Sequence, residues 1–129
     1  MRQQAAETQG YDSEDLPSPE HLVEKSPADS SVAITYRFTS DDDLRSKYAN
    51  SWGYIRMGVL LEDLDALAGT VAFNHCDDSN PDTRPLLIVT ACVDQISILR
   101  PLRMTHDIEL SGQVSWVGRS SMEIRMQVI

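Results

Sequence analysis

Aromatic side chains make up only 6% of this 129-residue chain, which has two cysteines and three histidines, and its 11 cationic residues face 20 acidic ones. Each scarcity excludes something. Two cysteines, Cys76 and Cys92, cannot staple a small secreted scaffold, and they point to a reduced intracellular compartment. A net charge of −9 argues against nucleic acid as a partner, because phosphate backbones are held by clustered Lys and Arg. No apolar run approaches the roughly 18–20 residues that a bilayer span requires, so no membrane span is expected. His75-Cys76-Asp77-Asp78 groups ligand-type residues, but neighbours at a helix end do not converge and no second cluster completes them. No metal is expected there.

The charge is unevenly placed. Residues 1–31 carry Glu7, Asp12, Glu14, Asp15, Glu20, Glu24 and Asp29 against Arg2 and Lys25, together with Pro17, Pro19 and Pro27. Such a stretch buries too little apolar surface to offset its ordering entropy, so residues 1–30 are expected to form a disordered acidic tail. It has neither the Arg-rich composition of a transit peptide nor the apolar core of a signal peptide. Residues 31–129 are expected to form a single domain.

Within that domain Val32, Ile34, Tyr36 and Phe38 alternate with polar or small residues, which predicts a half-buried strand. The acidic run at Asp41–Asp43 opens a short helical or turn segment through Tyr48. From Met57 to His75 the spacing changes to helical: Met57, Leu60, Leu64, Leu67, Ala68 and Val71 share one arc. Such a helix runs about 28 Å. Phe73 and Ala66 on its far side predict that it is wrapped on most sides. After a loop at Asn74–Arg84, three strands are expected over Leu86–Leu99, Asp107–Val117 and Met122 to the last residue. The order predicts an α+β fold, an antiparallel sheet curled around one long central helix. The chain stops at Ile129 in mid-strand, so the domain is expected to lack its last strand and to take a partner at that edge.

Asp65 lies at the border of the apolar arc, flanked on the helical wheel by Gly58, Gly69 and Ala72, while Glu62 and Asp63 point away from this strip. A glycine inside a helix costs about 0.5–1 kcal/mol relative to alanine, and close approach of a ligand or partner helix at Gly69 would give it a reason. Asn50-Ser-Trp-Gly-Tyr-Ile-Arg leads directly into the helix, whose first amides have no partner within it. The N–H groups around Met57, Gly58 and Val59 therefore suit developing negative charge. Thr90 shares a strand face with Ile88, Cys92 and Asp94, and Arg119 with Ser120 and Ser121 forms a turn able to receive a phosphate.

Three separated motifs carry a resemblance. They are Arg56-Met-Gly-Val-Leu-Leu-Glu-Asp-Leu-Asp65-Ala-Leu-Ala-Gly69, then Ile88-Val-Thr90-Ala-Cys-Val-Asp94-Gln-Ile, then Ser111-Gly-Gln-Val-Ser-Trp-Val-Gly118-Arg-Ser-Ser-Met-Glu. In this order they resemble hotdog-fold acyl-CoA thioesterases, most of all the mitochondrial branch with two hotdog units per chain. The resemblance covers residues 31–129 and implies a curved antiparallel sheet around a long helix. It also implies hydrolysis of fatty acyl-CoA to free acid and CoA, without a cofactor, and a mitochondrial location. Asn50 and Asp65 fall where that family places its catalytic Asn and acid, contributed by opposite hotdog units. A second unit is thus the implied partner, with Gly69, Thr90, Arg119, Ser120 and Ser121 near the substrate. Arg56, Arg100, Arg103 and Arg119 are the cations available to CoA. A dehydratase of the same fold would call for a His between Asn50 and Asp65, where none occurs. A non-catalytic unit that only pairs with another hotdog unit is the reading from a different class.

Overall fold

In the computed structural model, residues 22–83 and 87–129 are described. The elements run α1 (Pro27–Ser30), β1 (Val32–Tyr36), α2 (Asp42–Tyr48), α3 (Met57–Cys76), β2 (Ile108–Val117) and β3 (Met122–Val128). The three strands form one antiparallel sheet in the order β1-β2-β3. The 20-residue α3, about 30 Å long, lies across it.

The core arises where two periodicities meet. Leu60, Leu67 and Val71 recur on one side of α3, while Ile108, Leu110 and Val114 alternate on one face of β2. Full burial of each such side chain stabilises the fold by about 1.5–3 kcal/mol. Gly112 lies within the same β2 row. A methyl group there would come 2.8 Å from Met126 Cγ and 3.5 Å from a Val71 methyl. Its missing side chain lets the helix sit close to the sheet.

At the other end of β2 the alternation breaks. A register shift between Val114 and Trp116 turns the Trp116 indole outward, 60% exposed, although its spacing puts it in the inward row. A bulge adds a residue to one strand and reverses the facing of the residues beyond it. Trp116 then packs over Gly118, where a Cβ would meet the indole at 2.8 Å.

Three expectations need correction. The first is the tail, which does not extend to residue 30. Its residues 1–21 lie outside the described residues, but Lys25–Ser30 is docked. Ser26 donates from its N–H and its hydroxyl to Asp29 and so opens α1. Ser30 is fully buried, donating to Pro27 O and accepting from Val114 N. The Lys25 ammonium donates to the carbonyls of Asn74 and Asp77 at the end of α3, where the helix dipole is negative. Acid and proline content describe the segment's surface. They do not register that one small hydroxyl satisfies a buried β2 amide.

The second correction concerns residues 87–99, which form no regular strand. The β-branched composition is that of a strand, but a strand exists only against a neighbour, and none lies alongside among the described residues. Leu87 is 93% and Leu99 92% exposed. The third concerns α3, which among the described residues is covered along one side only. Phe73 is 54% exposed, and Leu61 and Met57 also face outward.

Candidate active site

The turn before α3 is built around the Asn50 side chain. Its Oδ1 accepts from the backbone N–H groups of Trp52 (2.9 Å) and Tyr54 (3.0 Å), and its own backbone N–H donates to Tyr54 O at 2.7 Å. Gly53 takes φ +80°, the left-handed region in which a side chain is strained. Beyond the turn, Ile55 N donates to Leu102 O and Met104 N to Gly53 O, zipping the loop onto residues 102–104. The Arg103 guanidinium lies 5.5 Å over the Tyr54 ring, and Arg56 donates to Lys47 O. With Oδ1 engaged, Asn50 has only its Nδ2 hydrogens left. It is a donor.

Arg56 is the N-cap of α3 and makes no side-chain capping bond; no acid stands in the first helical turn. The first helical bond runs from Leu60 N to Arg56 O. Among the described residues no protein group accepts from the amides of Met57, Gly58 and Val59, so the positive end of the helix is left open.

Asp65 is exposed on α3. One carboxylate oxygen accepts from the Thr90 hydroxyl at 2.8 Å, and the other has no protein partner among the described residues. Thr90, expected near substrate, commits its hydroxyl to Asp65. Eight residues separate Met57 from Asp65, about 12 Å along the helix axis. No hydrogen bond joins Asp65 to Asn50 within the chain. Gly58 and Gly69 have open space where a Cβ would stand, so nothing described within this chain accounts for the glycine at 69. Arg119, Ser120 and Ser121 lie in the exposed β2–β3 turn, closed by Gly118 N donating to Ser121 O, and no hydrogen bond links them to Asp65 or Thr90.

Asp63, which points away from the glycine strip, is bonded to two tyrosines. One of its oxygens accepts from both the Tyr36 hydroxyl (2.7 Å) and the Tyr48 hydroxyl (2.6 Å). The Tyr36, Phe38 and Tyr48 rings pack on one another with centroids 5.2–5.6 Å apart. Burial first, and then the bond to Asp63, holds both phenols protonated beyond the usual tyrosine range. Tyr36 on the inward row of β1 was the available signal, since a buried phenol needs a partner for its hydroxyl.

An acyl-CoA hydrolase from Staphylococcus aureus, solved as a threonine-to-alanine variant, shares this architecture with TM-score 0.65 at 22% identity, over 81% of this chain and 56% of that one. The fold is the hotdog: an antiparallel sheet packed on one long helix. The pattern of the thioesterase superfamily matches residues 53–129, and the chain belongs to that superfamily. "Acyl-coenzyme A thioesterase 4, mitochondrial" of Humulus lupulus is 51% identical over 95% of this chain. "Acyl-coenzyme A thioesterase 9, mitochondrial" of Homo sapiens is 40% identical over 78% of it. The chain spans 23% of the length of each of these two relatives.

Proposed function

We propose that this chain is one hotdog unit of an acyl-CoA thioesterase that hydrolyses fatty acyl-CoA to the free acid and CoA. The observation that carries the chemistry is the Asp65 carboxylate, oriented by Thr90 through one oxygen and, among the described residues, without a partner at the other. That second oxygen takes a proton from water as the water oxygen bonds to the thioester carbonyl carbon. The oxyanion that forms is held by the open amides of Met57, Gly58 and Val59, aided by Asn50 Nδ2. When the C–S bond breaks, the thiolate recovers the proton from Asp65. The separation of about 12 Å along α3 supports a composite site, in which one unit supplies Asn50 and the helix start and another supplies Asp65 and Thr90. The apolar exposure of residues 87–99 and of Phe73 supports a second unit as their cover. Arg56 and Arg103, gathered at the Asn50 turn, with Arg100 and Arg119, supply charge for CoA phosphates. Relatives named mitochondrial support that location for this protein. Among the described residues no helix is long and apolar enough to cross a membrane.

The deciding experiment is a thiol-release assay over acyl-CoA of graded chain length. Release matched by free acid is expected; none with any substrate, from a folded assembly, would leave the non-catalytic pairing reading. Gly69 adds a second test. Gly69→Ala should raise stability to urea by about 0.5–1 kcal/mol, since the methyl meets nothing in the chain. The same variant should raise KM if the acyl group or the second unit lies against that strip. Unchanged KM would remove Gly69 from the substrate surface.

A further inference from the structure

We infer that Asp63 is a positioning residue, which through the Tyr48 hydroxyl fixes the Asn50 turn and the open start of α3 relative to the helix. The path is continuous. Tyr48 closes α2 and its ring packs on Tyr36 and the buried Phe38, while its hydroxyl reaches Asp63 two residues before Asp65. Its backbone carbonyl accepts from Arg56 N at 2.7 Å, at the N-cap of α3. Ala49 next to it bridges to Ile55, and Asn50 comes directly after. One residue thus ties the side-chain anchor on mid-helix to both ends of the turn. Tyr36 donates to the same oxygen of Asp63 but belongs to β1, with no bond to the turn. The two phenols are therefore chemically matched and differ in what they hold.

That difference is the test. Tyr48→Phe and Tyr36→Phe each remove one hydroxyl and leave the ring. Amide hydrogen exchange reads the turn directly, with Leu110 as the reporter of general stability because it is fully buried on β2 and paired to β1 and β3. After normalisation to Leu110, Tyr48→Phe should speed exchange at Asn50, Tyr54 and Arg56 by about fivefold or more, and Tyr36→Phe by less than about twofold. Equal effects of the two variants on the turn amides would overturn the inference. Asp63→Ala should reproduce Tyr48→Phe. Asp63→Asn, which still offers a carbonyl oxygen to the phenols, should restore most of the protection.

The kinetic consequence rests on the thioesterase reading. There Tyr48→Phe should lower kcat about tenfold with KM within about twofold, while Tyr36→Phe keeps kcat within about twofold. Equal kcat for the two variants would also count against positioning. Should the wild-type protein release no thiol from any acyl-CoA, it is the thioesterase reading that fails, and exchange alone decides the role of Asp63.

Discussion

Asp65→Asn should lower acyl-CoA turnover by ~10²–10⁴-fold, about 3–5 kcal/mol of barrier, without unfolding the protein. Asp65 is exposed, so the substitution opens no cavity. An asparagine still presents an oxygen to the Thr90 hydroxyl, so the bond that orients the side chain survives. What is lost is the ability to accept a proton. KM should change little, because the cations available to CoA lie elsewhere. The control is Glu62→Gln on the same helix, exposed and without a bonded partner among the described residues. Asp63 is unsuitable as a control, since two tyrosines depend on it. Near-wild-type turnover in Asp65→Asn, or its loss in Glu62→Gln, would remove Asp65 as the base.

The proposed composite site predicts a second large effect, visible only in mixtures. Asn50→Asp keeps the Oδ1 that organises the turn but gives up the Nδ2 donor, so it should be nearly inactive alone. Asp65→Asn should be nearly inactive for the opposite reason. Dissociated, mixed in equal amounts and reassembled, the two should recover about a quarter of wild-type activity. Half of random dimers are mixed, and each mixed dimer holds one site with both groups intact. Thiol release before and after mixing is the measurement. No recovery from folded, reassembled variants would mean that both groups serve the same unit, against the roughly 12 Å that separates them along α3.

How far the sequence alone reaches differs by element, and the reasons are physical. The helix predicted over Met57–His75 ends one residue later, at Cys76, because 3.6-residue periodicity over 20 residues is a strong local signal. The strands β1, β2 and β3 are readable for the same reason, each alternating against a neighbour that exists. Residues 87–99 carry the same signal, but pairing is a property of two segments, so composition alone misreads them. The outward turn of Trp116 is a backbone event that leaves the residue pattern intact. At the candidate site, the place of Asp65 on α3 is readable from helical spacing, whereas the strand face expected to carry Thr90 does not form, and the hydrogen bond between the two is a contact across 25 residues that no local pattern encodes. Asp63 escapes a sequence reading for a related reason, since its two partners lie 27 and 15 residues away. The amides at the start of α3 need only the position of the helix boundary.

The docked segment at Lys25–Ser30 sets an order of events in folding. Its lysine reaches carbonyls 49 and 52 residues downstream, and its buried serine binds an amide 84 residues downstream. These residues leave the ribosome well before Val114, yet Ser30 cannot make its bond to β2 until Val114 has been made and β2 has found its place. The β1–β2 pairs, from Val32 with Gly112 to Tyr36 with Ile108, bear the same cost of closing a long loop, so the segment locks with the sheet and not before it. The first described part of the chain to be synthesised therefore waits, like a latch without its catch, for a strand made much later.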